Sequence, residues 1–362
     1  MKIYKTTLLL LLLLYPLTAF SHNSFVTVLG DETQFFSGES IGQILVIEDL
    51  PERREAECVW KTLVDTAVIE QGRNPIIKNE GGETRVRVII HLPEVTRQVK
   101  LTWVVEILSE GDLLGSNIFQ YLISPRDNGE ILREVLWGRR IGIFDPTGEL
   151  RKLFTSLGIS YFDLSNDLSL KLFRGDAVII GPGSVSNPWS NLFHILGSDI
   201  PFTGGVLCLR QSKLPDDLPI RISSEISATS EYPTVVDPGH QVFLGLSSKD
   251  FRGWRGQDDP ALTINKPLRG MYRSLLELPP RGENRKVSLL LENIMDGRPI
   301  LFCQLPISNS FRNNPVAGIL LANMLRFIVK SSQGLIFAAS ASSDEAFLED
   351  IGNTLHTIEE KL

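Results

Sequence analysis

Hydrophobic and polar residues alternate along most of the first third of the chain. Alternation with a period of two predicts β-strands that bury one face. The alternating segments are Phe25–Leu29, Ile41–Ile47, Ala56–Leu63, Thr84–Leu92, Val99–Ile107 and Phe119–Ile123. Polar turns, such as those at 81–83 and 110–112, separate them. Short strands at near-regular spacing favour a β-sandwich of immunoglobulin-like type over residues 22–124.

The pattern changes after Arg139. An apolar run at Arg140–Asp145 predicts a buried strand, and Glu149–Leu157 carries leucines and phenylalanine at helical spacing. Gly158 ends this helix as a C-cap would. Further strands are predicted at 159–162 and 176–180, which makes a βαβ unit and so a parallel sheet covered by helices.

The rest of this half continues the same scheme with longer irregular stretches. Strands are predicted at 206–209, 286–292, 299–305 and 335–339, and an apolar helix at 314–329. Trp189–Leu196 is predicted to be helical, and residues 242–246 and 247–254 are expected to make a short element beside a turn. Residues 221–238 are rich in serine, threonine and proline, and they predict a loop.

These patterns divide the chain into five parts. Residues 1–21 have the form of a signal peptide, with two lysines, a leucine-rich centre and small residues before a cleavage point. The β-sandwich domain (22–124), a polar linker (125–129) and the α/β domain (130–339) follow. Residues 340–362 are predicted to form an amphipathic helix. We therefore expect an exported bacterial protein, periplasmic or extracellular, without a membrane span once the leader is removed.

The composition and the spacing of particular residues argue against several classes of function. The formal net charge is −7 and no basic cluster is evident, which argues against a nucleic-acid partner. The histidines share no metal-ligand spacing and no Cys-x-x-Cys occurs, so neither a metal site nor a cofactor is predicted. Three cysteines allow at most one disulfide, and buried thiols are the favoured interpretation.

Cys208 and His240 are the candidate catalytic residues. Cys208 lies near the end of a predicted strand, where open α/β sheets place ligand sites. A cysteine nucleophile needs a sharp elbow, normally flanked by glycine, and a histidine to accept its proton. No glycine follows Cys208, and His240 lies in a turn-like loop. A buried thiol and a loop histidine explain the same residues, and we favour that interpretation over a catalytic pair.

A second candidate site is the segment 251–256, in which Arg252 and Arg255 flank Trp254 between glycines. A sugar ring could stack on the indole while the guanidinium groups hydrogen-bond to hydroxyls or a carboxylate. The alternative, which we favour, is a packing loop whose arginines pair with nearby aspartates.

Four blocks carry a family resemblance: Ile143–Pro146, Val178–Gly183, Gly239–Leu246 with Asp250–Gly256, and Ile300–Pro306 with Asn323–Leu325. Together they resemble the C-terminal region of large secreted bacterial glycosidases related to the family 2 (beta-galactosidase) group. There a β-sandwich precedes a three-layer α/β domain like a degenerate class I glutamine amidotransferase, with a flavodoxin-like sheet, similar to the beta-galactosidase trimerisation domain. This chain has no room for the barrel that carries their catalytic carboxylates, and it lacks the amidotransferase elbow and His-x-Glu.

The resemblance implies an exported, non-catalytic binding or assembly protein. Its expected partner is a carbohydrate or a separately encoded glycosidase, and a homo-oligomer is also compatible with it. Two alternatives stay open. One is a small hydrolase or amidotransferase-like enzyme that uses Cys208, and the other is a purely structural oligomerisation module.

Overall fold

The computed structural model describes residues 26–30, 32–48, 50, 55–77, 83–165, 167–185, 204–215, 218–224, 233–252, 262–267, 271–281, 285–295 and 297–329. The chain forms two compact units. The first lies within Met1–Gly30 and Gly38–Ile123, and the second within Asp31–Ser37 and Ser124–Leu362. The expected leader, the helix at 189–196, the last strand and the C-terminal amphipathic helix lie outside the described residues.

The first unit is built from antiparallel strands. In chain order they are β1 (Val26–Leu29), β3 (Ser40–Ile47), β4 (Ala56–Val64), β5 (Ala67–Ile76), β6 (Thr84–His91), β7 (Val99–Ser109) and β8 (Asp112–Ser124), with the short β2 (Gln34–Phe36) falling in the segment grouped with the second unit. One sheet has the order β1-β3-β6, and the other contains the run β8-β7-β4-β5.

Each sheet of this unit buries one face, as the alternation of its sequence predicts. Strand β6 alternates buried and exposed residues along its whole length. In β7, Trp103 is fully buried and stacks on Tyr121 of β8, with ring centroids 6.2 Å apart. The β7–β8 hairpin turns at Glu110 and Gly111, both at positive φ, as a two-residue turn between twisted strands requires.

The second unit contains helices and a mixed sheet. Its strands are β9 (Ile141–Phe144), β10 (Phe162–Asp163), β11 (Ala177–Ile180), β12 (Val206–Leu209), β13 (Arg221–Ser224), β14 (Thr234–Val235), β15 (Leu262–Asn265), β16 (Tyr272–Arg281), β17 (Arg285–Met295) and β18 (Arg298–Cys303). Its helices are α1 (Gly129–Leu136), α2 (Glu149–Ser156), α3 (Asp167–Leu172), α4 (Ile307–Ser310) and α5 (315–329). Two 3₁₀ turns lie at Gln241–Phe243 and Ser248–Phe251.

Among the described residues of the second unit, ten strands form one sheet, which divides into a parallel and an antiparallel part. Strands β10, β9, β11, β12 and β18 lie side by side in that order and are parallel. Strand β17 then pairs antiparallel with β18 and extends the sheet through β15 to β13, while β16 and β14 branch from β17. The parallel strands β9, β11 and β12 are four residues long, apolar and buried along their whole length, as strands covered on both faces are.

Two hydrophobic clusters cover the two faces of this sheet, and alternate residues of each strand belong to different clusters. In β12, Leu207 and Leu209 join the cluster formed with α1, α2 and α5, whereas Val206 and Cys208 join the other. Helix α2 begins after Gly148 and ends before Gly158, both at positive φ, which explains why glycine occupies these positions.

The described residues are mostly β-strand, arranged in several sheets. One sequence prediction was wrong: residues 221–238 are not a continuous loop, because β13 and β14 lie at its two ends. Both strands pair with partners distant in sequence, β15 and β16, so local composition could not reveal them. Strand β5 was also missed, although nine of its residues pair with β4. No described helix is long and apolar enough to cross a membrane.

Candidate functional site

Polar residues follow several parallel strands of the second unit where those strands end. Asp145 follows β9, Gly181–Gly183 follows β11, Gln211 comes shortly after β12, and Gln304 follows β18. Because the carboxyl ends of parallel strands share one edge of the sheet, these residues lie at the edge where open α/β sheets bind ligands. We call this edge, defined by Asp145, Gly181–Gly183, Gln211 and Gln304, the carboxyl edge.

Asp145 is buried and serves as a structural cap at the carboxyl edge. Its carboxylate accepts hydrogen bonds from the Thr147 hydroxyl at 2.7 Å and from the Arg151 backbone N–H at 3.0 Å. The second bond satisfies an N–H in the first turn of α2, where a negative charge is favourable. A Cβ at Gly181 would lie 2.5 Å from Oδ1 of Asp145, so only glycine fits beside this side chain.

Gln211 is fully buried and joins the loops that follow three strands. Its amide NH₂ group donates to the carbonyl of Gly181 at 2.7 Å and to the carbonyl of Leu209, and its Oε1 accepts the backbone N–H of Val185 at 2.9 Å. Its own backbone N–H donates to Oε1 of Gln304 at 3.1 Å. The side-chain amide and the backbone N–H of Gln211 are therefore engaged within the protein.

Cys208 lies below this edge with its thiol in the hydrophobic cluster of Phe144, Ile180 and Phe302. Burial raises the pKa of the Cys208 thiol well above its usual range, and the nearby Cys303 raises it further. Burial also raises the pKa of Cys303 to about 12. The nucleophilic form of cysteine is the thiolate, and this environment strongly disfavours it.

His240 lies in the loop before the first 3₁₀ turn, and it caps that turn. Its Nδ1 accepts the backbone N–H of Val242 at 3.3 Å. The imidazole ring packs against Phe327 of α5, with centroids 4.8 Å apart. When the ring is neutral, this bond leaves the proton on Nε2.

The structure does not bring Cys208 and His240 together. Cys208 belongs to one hydrophobic cluster of the sheet, while Phe327, against which His240 packs, belongs to the other. The sheet therefore separates the thiol from the imidazole.

Nε2 of His240 instead faces Glu292 of β17, at 3.7 Å from its Oε2. Arg273, opposite Glu292 on β16, places Nη1 4.0 Å from the same oxygen and uses Nη2 to bind Asp237. Burial lowers the pKa of His240, and the Arg273 charge lowers it further, although Asp237 opposes this. Burial raises the pKa of Glu292, against the opposing effect of Arg273. We call these four residues the histidine–glutamate cluster.

The predicted 251–256 site is described only at its start. Arg252 follows the second 3₁₀ turn, and its backbone N–H donates to the carbonyl of Lys249 at 3.3 Å. Asp250 closes this turn by accepting hydrogen bonds from the backbone and hydroxyl of Ser247 and from the hydroxyl of Thr33. Trp254 and Arg255 lie outside the described residues.

The first unit has a surface cleft of about 360 Å³ along its β5-β4-β7 strands. Its lining mixes charged and apolar side chains, and it includes Lys61, Arg73 and Glu106 beside Val59 and Val104. Glu57 pairs with Arg73 at 3.2 Å. Among the described residues of the whole chain, no cluster of histidine, cysteine and carboxylate side chains could hold a metal ion.

Comparison with known proteins assigns no family. No protein-family model matches the chain, and no curated protein matches it. Solved structures with partial similarity include a Bacteroides fragilis protein provisionally assigned as a beta-galactosidase (9% identity, 53% of this chain and 28% of that one, TM-score 0.21). Another is a Paenibacillus cycloisomaltooligosaccharide glucanotransferase (11% identity, 59% and 31%, TM-score 0.23).

A third is a Pseudomonas fluorescens alkylpurine DNA glycosylase (15% identity, 28% of this chain and 30% of that one, TM-score 0.19). The chain spans less than a third of the length of each of these three proteins. Similarity at this level carries no argument about function.

Sequence reasoning identified His240 but not the residues around it. Glu292, Arg273 and Asp237 are separated from one another by 19 to 55 positions in sequence and meet only through strand pairing. One signal was present in the sequence: Glu292 is a lone acid at the end of an apolar run, Val287–Leu291. Gln211 and Gln304 carried no comparable signal.

Proposed function

We propose that this chain is an exported, non-catalytic binding or assembly protein. In this proposal the second unit is a flavodoxin-like, amidotransferase-like domain. Its carboxyl edge, where such domains bind ligands, is occupied by hydrogen bonds that stabilise the fold. The first unit is an immunoglobulin-like sandwich. The observation that carries the proposal is the set of hydrogen bonds by which Gln211 joins the loops of the carboxyl edge.

The order of the parallel strands supports the domain assignment. Numbered along the chain, β9, β10, β11, β12 and β18 lie in the order 2-1-3-4-5, which is the order of flavodoxin-like sheets. Such sheets bind ligands where the order reverses, here between β9 and β11. In this chain Asp145 and Gly181 pack directly against each other at that position, and the carboxylate caps α2.

The burial of Cys208 supports the non-catalytic part of the proposal. A cysteine hydrolase needs an accessible thiolate with a neighbouring base. Cys208 has a raised pKa inside an apolar cluster, and His240 lies on the other side of the sheet. The alternative of a Cys208-dependent hydrolase is therefore the weaker one.

Association with carbohydrate or with a glycosidase is the part of the proposal that rests on the sequence resemblance. The cleft of the first unit, with Lys61, Arg73 and Glu106 beside apolar side chains, offers the mixture of hydrogen-bonding and apolar surface that sugars use. We place the carbohydrate contact in this cleft.

The decisive experiment combines binding with activity. Purified protein without its leader is applied to a polysaccharide array and used in a pull-down from the native host. In parallel it is tested for hydrolysis of ester, amide and glycoside substrates. We expect retention on a glycan or recovery of a glycoside hydrolase, and no turnover by the protein itself.

The matched control for activity is a pair of cysteine variants. Cys208→Ser and Cys303→Ser both alter a buried thiol in neighbouring parallel strands. Hydrolysis by the wild-type protein that is abolished in Cys208→Ser and kept in Cys303→Ser would overturn the proposal in favour of a hydrolase. Loss of binding in an Arg73→Ala variant that melts normally would support the location in the cleft.

A further inference from the structure

Within the part of the chain that the structure describes, no donor lies within hydrogen-bonding distance of the Glu292 carboxylate in the histidine–glutamate cluster. Glu292 is 8% exposed, yet the two nitrogens facing it lie at 3.7 and 4.0 Å, beyond hydrogen-bonding distance. Buried carboxylates normally accept hydrogen bonds, because burial without them is costly. The described residues give Glu292 only these two longer contacts.

The charges of the cluster do not cancel. Nη2 of Arg273 pairs with Asp237, so one positive and one negative charge offset each other. His240 is held neutral near pH 7, because burial and Arg273 lower its pKa. When Glu292 is ionised the cluster therefore carries one net negative charge. This charge favours a cationic group that can donate hydrogen bonds.

The surroundings of Glu292 offer access and an apolar contact surface. The side chain of Arg273 is 55% exposed and that of Asp237 is 31% exposed, while the Glu292 side chain is recessed at 10%. Strand alternation places Ile294, which is 43% exposed, on the same face as Glu292. Met271 is exposed and lies immediately before β16, two residues from Arg273.

We propose that the histidine–glutamate cluster is a binding site for the ammonium group of a small aliphatic amine. The ammonium group donates to the Glu292 carboxylate, and the alkyl part lies against Ile294 and Met271. His240 lies beside Glu292, with its Nε2 3.7 Å from Oε2, and Arg273 pairs with Asp237 at the entrance. This site is independent of the proposed carbohydrate contact, which lies in the other unit.

Isothermal titration calorimetry with n-propylamine tests the proposal. The neutral 1-propanol and the anionic propionate are probes of the same size. We expect saturable binding of propylamine and none of 1-propanol or propionate. The Glu292→Gln variant, which removes the charge and keeps the side-chain shape, should bind propylamine about tenfold or more weakly. Glu134→Gln, the same change at an exposed position of α1, should bind as the wild type does.

Acidification supplies a second readout in the wild-type protein. Amine binding should fall as Glu292 becomes protonated, at a pH above the ordinary glutamate range because its pKa is raised. The imidazole NMR signals of His240 should shift on adding amine at neutral pH. They identify the site even where Glu292→Gln does not fold. Equal binding of propylamine and propanol, unaltered binding in folded Glu292→Gln, or unmoved His240 signals at saturating amine would each overturn the proposal.

Discussion

Replacing Gln211 by methionine removes the hydrogen bonds of the carboxyl edge while keeping a side chain of similar volume. The change deletes two donated bonds, to the carbonyls of Gly181 and Leu209, and one accepted bond from the Val185 N–H. Ser184 still donates to the carbonyl of Gly181, at 3.4 Å. Val185 is buried and loses the side-chain acceptor of its N–H.

The expected cost follows from these three losses. Leaving a buried donor unsatisfied, here the Val185 N–H, lowers stability by about 1–3 kcal/mol. The carbonyls of Gly181 and Leu209 each lose one hydrogen bond, and each loss adds a smaller cost. The apolar methionine recovers a small part of the total, because it replaces a polar group by an apolar one of similar shape. We therefore expect the second unit to lose about 2–4 kcal/mol of stability, or roughly 4–16 °C in melting temperature for a unit of this size.

Differential scanning calorimetry measures this loss. Gln241→Met is the control, since Gln241 is exposed in the same unit and surface changes usually stay within about 0.5 kcal/mol. If the two variants melt alike, the hydrogen bonds of Gln211 do not hold the carboxyl edge, and the structural role we assign to this edge is wrong.

Two further predictions concern single residues. His240→Asn keeps a side-chain acceptor for the cap of the 3₁₀ turn but removes a buried group that titrates. Because folding lowers the pKa of His240, the neutral imidazole makes its full contribution to the free energy of unfolding above about pH 6.5. As the pH falls below this value, that contribution is lost by at most about 1.4 kcal/mol per pH unit. Wild-type stability should thus fall more steeply from pH 7 to 5 than that of the variant. Gly72→Ala should cost about 1–3 kcal/mol, since its Cβ would lie 2.6 Å from the Trp60 ring.

Chemical denaturation at several pH values tests the first prediction, and parallel stability curves would contradict it. For the second, Gly42→Ala is the control in the same unit, because its Cβ would meet only the flexible end of Arg87, at 3.3 Å. An equal effect of the two glycine changes would show that Trp60 can move aside.

The local sequence pattern was sufficient to predict the elements that have a consistently apolar strand or a regular apolar helix face. The apolar runs that became β9, β11 and β12, the spacing of α2 and its terminal Gly158 were all readable, because each depends on neighbours within a few residues. Alternation likewise predicted the strands of the first unit that have one buried face. Strand β5 was missed because nearly all of its residues are at least partly exposed, so no buried face shows as an alternation in its sequence.

Long-range pairing accounts for what could not be predicted. Strand β13 has a local composition typical of a loop and becomes a strand only by pairing with β15, about forty positions later. The hydrogen bond between Gln211 and Gln304 spans 93 positions. The histidine–glutamate cluster depends in the same way on the register that places Arg273 opposite Glu292. A pattern read over a few neighbouring residues cannot predict contacts between residues this far apart in the sequence.

The reactivity of Cys208 tests the central claim most directly. The folded protein is treated with iodoacetamide near neutral pH, and each cysteine is followed by peptide mass spectrometry, with the unfolded protein as the reference. Because burial raises the pKa of Cys208 and of Cys303, we expect both to react only at the rate at which the second unit unfolds, and therefore at similar rates. Rapid, stoichiometric labelling of Cys208 ahead of Cys303 in the folded protein would contradict the account and indicate an active-site thiol.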